Sequence, residues 1–157
     1  MKHKRVRIAL VVIELFVGLW AVIGGVGLLT GVIPFMVMPV ELLQGTPFAD
    51  YTIPGLALLI LVGGSCLFAA VALLRGGEVG SLASVLAGLM IIGFEAVEAP
   101  IIDRSASVLP TAVPQQILMT ILGMACCGLG AYVWKMERRS QRFSVKHVKE
   151  FMKEELS

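Results

Sequence analysis

Apolar positions along this chain gather into four long runs, Ile8–Ile33, Ile53–Leu74, Ser81–Ala99 and Ala112–Trp134, with short polar or proline-bearing stretches between them. The hydrocarbon core of a bilayer takes about 20 apolar residues of α-helix, and each run is close to that length or longer. In lipid a segment must satisfy its own backbone N–H and C=O groups, so runs of this kind are helices. The pattern predicts an all-α integral membrane four-helix bundle with spans over about 8–33, 53–74, 81–99 and 112–134. The membrane domain then covers 1–135, and a basic cytoplasmic tail covers 136–157. The seven residues Met1–Arg7 resemble the charged head of a signal peptide. The apolar run behind them, however, outlasts the 7–15 residues of a signal-peptide core, so it reads as an anchor.

The punctuation carries further detail. Gly27-x-x-x-Gly31 fits the small-xxx-small pattern that lets helix backbones approach closely. Pro34 is expected to end or kink the first helix. Pro34–Thr52 is too apolar for a free loop, so a short interfacial outer loop element is expected, with Pro39–Gln44 forming one or two helical turns over the mouth of the bundle. Pro54 suits the first turn of the second helix, Asp50 or Thr52 can cap it, and Tyr51 fits an interfacial aromatic belt. Gly63, Gly64, Ser65, Cys66, Ala69, Ala70 and Ala72 give the second span a small-residue face. Arg75–Glu78 is a tight turn, and the third span should stop before Pro100. Ser144–Leu156 reads as a separate short amphipathic C-terminal helix with Ser144 as its N-cap.

Composition and charge refine the class. At 157 residues, 57% hydrophobic and a mean hydropathy of +0.90, the chain lies outside the usual range of soluble domains. Of its 13 Lys and Arg residues, all but Arg104 fall before the first span, in the turn after the second, or after the fourth. Lys and Arg bias sets orientation, so both termini are expected in the cytoplasm. Arg138, Arg139, Arg142, Lys146 and Lys149 are candidate contacts for anionic lipid. Cys66, Cys126 and Cys127 all lie within spans, where they read as soft packing residues rather than a disulfide framework. Cys66 and Cys126 each lie 13 residues in from the outer end of their span, counted from Ile53 and Val113, so they share a depth if the second and fourth helices are neighbours.

Ionisable residues inside spans are costly and mark sites by default. Glu14 lies in the inner half of the first span, within reach of Arg7 or the inner turn. Glu95 and Glu98, three apart on one helix face, lie near the outer end of the third. With Asp50 and Tyr51 at the start of the second span and Gln115 and Gln116 at the start of the fourth, they form a candidate polar pocket for an ion, a proton or a lipid headgroup. The alternative is a hydrogen-bonded cluster that fixes helix register. Phosphate-cradling loops and His-Glu-x-x-His are absent, both histidines are in the terminal segments, and the lack of Asn removes any N-glycosylation sequon. No catalytic residue, metal or cofactor is expected, and nucleic acid is not an expected partner.

The string Gln44-Gly-Thr-Pro-Phe-Ala-Asp-Tyr-Thr-Ile-Pro-Gly-Leu56, with Gly63-Gly64, Glu95/Glu98 and Gln115-Gln116, resembles a group of small prokaryotic four-span membrane proteins with no assigned activity. The resemblance implies a fold and a place in the prokaryotic inner membrane, and carries over no catalytic residue. The leading expectation is a non-enzymatic interaction or accessory subunit, with membrane lipids, a second copy or a larger membrane protein as partners. The alternatives are a small channel or transporter using the outer carboxylates and, last, a membrane enzyme acting on lipid.

Overall fold

A computed structural model describes residues 2–32, 39–105 and 112–155, with side chains placed for 4–32, 39–100, 113–140 and Met152. Among the described residues there is no strand. Four helices make the fold: α1 (Lys2–Thr30), α2 (Thr52–Arg75), α3 (Glu78–Ser105) and α4 (Ala112–Glu155). Each is long and apolar enough to cross a membrane, over Lys4–Thr30, Thr52–Arg75, Glu78–Pro100 and Val113–Ser140. A single 3-10 turn, Val40–Leu43, stands where one or two helical turns were expected, and Leu43 from it is buried.

The helices run alternately up and down, and each packs on the next around a ring, with α4 closing on α1. Among the described residues α2 and α4 make no close backbone approach, so they lie diagonally and not side by side. Cys66 and Cys126, both fully buried, therefore sit on diagonally opposed helices, within electrostatic reach of each other. Both chain termini and the α2–α3 turn share one end, the terminal end; the 3-10 turn marks the other, the loop end. Large apolar side chains such as Phe16, Ile60, Phe68, Leu86 and Ile121 point outward and stay exposed, as lipid-facing residues do.

Helix limits differ from the sequence reading in three places. First, α1 stops at Thr30, ahead of Pro34, because Gly31 turns to φ +63 while its N–H bonds the Gly27 carbonyl at 2.9 Å. That is the left-handed residue that commonly ends a helix. Gly31 meets nothing within 4 Å of a Cβ position, so it is not half of a packing motif. Second, α3 runs through Pro100 to Ser105, since a proline removes one intrahelical bond and can be tolerated with a kink. Third, α4 is continuous for 44 residues. No Gly or Pro separates Trp134 from Ser144, so nothing stops the helix there, and Ser144 is an interior residue, not an N-cap.

Glycines draw the helices together along two seams. On the α1–α2 seam a Cβ on Gly25 would stand 2.8 Å from the Gly55 carbonyl oxygen, and one on Gly63 would stand 3.4 Å from that of Gly18. The α1 glycines are seven residues apart, but Gly55 and Gly63 are eight apart. In an α-helix eight residues would turn the second glycine ~80° from the first, against ~20° for seven. Residues Ala57–Gly64 form a π-helix, whose wider turns take up the extra residue and return both glycines to one face. On the α3–α4 seam, a Cβ on Gly88 would stand 2.6 Å from the Gly123 carbonyl oxygen, and one on Gly130 would stand 3.0 Å from that of Ser81.

Candidate functional site

At the loop end the helices bring together part of the sequence-derived pocket. Glu95 is 9% exposed, and its Oε2 is buried without a hydrogen-bond partner. Glu98, one turn on, is half-buried and near enough to act electrostatically on Glu95. The Gln116 side-chain amide donates to the Glu95 main-chain carbonyl at 3.1 Å, so it ties α4 to α3 without neutralising the carboxyl group. Tyr51, just ahead of α2, is within electrostatic reach of Glu98, and its hydroxyl donates to the Pro39 carbonyl at 3.1 Å. Burial raises its phenol above the ordinary value, and the negative charges of Glu98 and Glu41 add to that.

Two of the expected members stand apart. Gln115 is exposed. Asp50 is also exposed, and its Oδ1 accepts the Thr52 N–H at 2.9 Å. That bond holds the Asp50 carboxyl below its ordinary value. Asp50 thus satisfies the N–H of the first α2 residue from outside the helix, while Tyr51 holds the N-cap position expected of Asp50 or Thr52. Glu41, from the 3-10 turn, is exposed as well but acts electrostatically on Tyr51, a relation the sequence reading missed. Its approach to Tyr51 depends on how Pro39–Leu43 folds back, which no short-range pattern specifies. An open hollow of ≈ 330 Å³ lies over that turn, with Glu41, Gln44, Thr46 and Phe48 in its wall.

Glu14 does not snorkel and does not pair with Arg7. It is fully buried, and neither carboxyl oxygen has a hydrogen-bond partner. Arg7 is engaged elsewhere: its guanidinium donates to the Leu73 carbonyl and lies 4.0 Å from Glu137 Oε1. Glu137 Oε2 also accepts the Ser81 hydroxyl at 2.9 Å. Beside it Arg138 reaches Glu78 at 3.4 Å and stacks 4.2 Å from the Trp134 ring centroid. This network joins all four helices at the terminal end, and it gives Arg138 protein partners where lipid was expected. Arg139 is exposed; Arg142, Lys146 and Lys149 lie outside the described side chains. Glu137 was missed because a charge just past a span ordinarily reads as a wet one.

The cysteines are free thiols, and among the described residues no three His, Cys, Asp or Glu side chains are grouped to hold a metal ion. What the loop end offers is an under-satisfied carboxyl group with a second carboxyl beside it and a phenol within electrostatic reach. Such a group can take a proton or a small cation. No protein-family model matches the chain, and neither a curated protein nor a solved structure is detectably similar to it.

Proposed function

We propose that this is a small cell-membrane protein of the channel or transporter class that binds a proton or small cation at Glu95 and Glu98, with Tyr51 beside them. The observation that carries the reading is the buried, unpartnered Oε2 of Glu95 next to a second carboxyl group. A buried polar atom left without a partner is costly, and an ion or proton removes the cost. Gly18, Gly25, Gly55, Gly63, Gly88, Gly123 and Gly130 pack within the bundle, so these small-residue faces are not free for a partner. What favours the accessory-subunit reading is the basic tail and α4, which runs 15 residues past Ser140 and offers a helical surface to a partner.

In the same proposal both termini are cytoplasmic, the loop end faces outward, and the chain shares its plan with the prokaryotic four-span proteins it resembles. The charge bias supports that orientation. Proteoliposomes carrying the protein and an internal pH dye test the function. An imposed cation or proton gradient should drive a pH change that Glu95→Gln abolishes while the protein stays folded. Equal traces for wild type and variant would refute the reading. A reporter at the C-terminus that works only outside the cytoplasm would refute the orientation.

A further inference from the structure

Glu14 belongs to neither the loop-end group nor the terminal-end network. Each helix contributes one residue to its surroundings: Glu14 from α1, Cys66 from α2, Ser84 from α3 and Cys126 from α4, all of them fully buried. Ser84 is the polar side chain beside the carboxyl group, and the two thiols lie within its electrostatic reach. Among the described residues, these are the groups of the other helices that act on Glu14. Arg7, two turns away on the same helix, or ~10 Å by rise, is held by Leu73 and Glu137.

Hydrogen-bond accounting then decides the form of the group. A carboxylate is an acceptor only, so an ionised Glu14 would need donors. The Ser84 hydroxyl has one hydrogen, and the Gly80 carbonyl, 3.0 Å away, competes with the carboxyl group for it. A thiol is a weak donor. A charge here would therefore be buried without a cation or an uncontested good donor, the costliest arrangement a protein interior can hold. The carboxylic acid reverses the count, because its O–H can donate to the Ser84 oxygen. Glu14 and its three neighbours are closed from solvent, and no metal-ligating group of three exists among the described residues. A proton is the occupant that needs no coordination shell.

We propose that Glu14 is a proton-binding site at the centre of the bundle, independent of the loop-end carboxyl groups, and that the four helices close only around its neutral acid. Proton release, from the acid to water, then requires the helices to part and admit that water. Proton uptake closes them again. Bundle opening and the protonation of one residue become a single linked event.

The test uses the full-length protein in lipid, with 13C at the glutamate side-chain carboxyl positions, followed by NMR at neutral pH. The Glu95→Gln/Glu98→Gln protein is the background, so the loop-end pair contributes no signal. A neutral-acid resonance is expected in that background, lost in the further Glu14→Gln protein. If all glutamate signals of the folded background protein are those of ionised carboxylates, the proposal fails, whether or not the Glu14→Gln protein folds. The second reading is stability against pH. Release of the proton on unfolding makes stability fall as pH rises, and Glu14→Gln, which keeps the shape and cannot ionise, should lose that slope. An unchanged slope would also overturn the proposal. Both outcomes are independent of flux at Glu95.

Discussion

Tyr51 lies within electrostatic reach of two carboxyl groups, and its titration reports on both. Burial first, then Glu98 and Glu41, holds the phenol above its ordinary value of 10.0. A group raised in this way contributes stability that is complete below the unfolded value and is lost as pH rises through the folded one. Glu98→Gln removes one of the charges, so Tyr51 should ionise at lower pH than in the unaltered protein. Tyrosinate absorbance in a Tyr132→Phe background measures it, and an upward move or none would show that Glu98 does not act on the phenol. Asp50 works with the opposite sign. Its carboxyl is held low by the Thr52 N–H, so its contribution is present above the ordinary value of 3.8 and is lost as pH falls through the folded one. Asp50→Ala should flatten the acid limb of the stability profile, followed as thermal unfolding across pH. The Asp50–Thr52 bond was legible in the sequence, because it depends on a neighbour two positions away. The action of Glu41 and Glu98 on Tyr51 was not, because it depends on the fold of the segments between.

Between helices, the glycines separate into those that touch and those that do not. A Cβ at Gly25 would meet backbone, the Gly55 oxygen and the Leu59 nitrogen at 2.8 and 2.9 Å, and one at Gly88 would meet the Gly123 oxygen at 2.6 Å. Backbone cannot swing aside as a side chain can. Gly25→Ala and Gly88→Ala should each cost about 1–3 kcal/mol, the usual range for overpacking. Gly93 meets nothing within 4 Å, so Gly93→Ala should be neutral or stabilising by up to about 1 kcal/mol, the helix propensity of alanine over glycine. Thermal unfolding in one detergent ranks the three. The π-helix allows a sharper test. If its extra residue exists to align Gly55 with Gly63, deleting the exposed Ile60 should convert the turn to α-helix and keep the seam, with stability unchanged or raised. Deleting the similarly exposed Leu89, in the regular part of α3, should rotate Gly88 off Gly123 and prevent folding. Equal outcomes for the two deletions would remove the alignment argument. The sequence announced small-residue faces but not their partners. Gly27 and Gly31 carry the expected motif spacing, yet Gly31 ends the helix, and the working pair on α1 is Gly18 and Gly25. A run that is apolar on every side has no periodicity from which a π-turn can be read.

Across the whole molecule the two ends are braced differently. Four spans were legible because length and apolar content alone decide whether a helix can cross a bilayer. The order of helices around the ring, and with it the facing of Cys66 and Cys126 along a diagonal, was not, because it is set by which glycines meet. At the terminal end α1, α2, α3 and α4 are tied through Arg7, Leu73, Ser81 and Glu137, with Arg138 and Glu78 alongside. At the loop end the described polar ties between separate elements are Gln116 to Glu95 and Tyr51 to Pro39, and each involves a neutral donor. Bonds to charged groups contribute more than neutral ones. The bundle should therefore loosen from the loop end, where the unpartnered Glu95 lies, while the terminal end acts as the hinge. Amide hydrogen exchange in lipid should show α2 and α3 exchanging faster around residues 55–60 and 94–98 than around 70–75 and 80–85. Glu137→Ala removes the shared acceptor of Arg7 and Ser81 and should cost about 1–2 kcal/mol. Arg138→Ala, which breaks an ion pair with one side half-exposed, should cost only about 0–1 kcal/mol. In the Glu137→Ala protein the exchange difference between the ends should shrink or reverse. Uniform exchange in the unaltered protein, or a Glu137→Ala effect confined to residues touching position 137, would mean that the two ends are equally firm and that no hinge is built into the bundle.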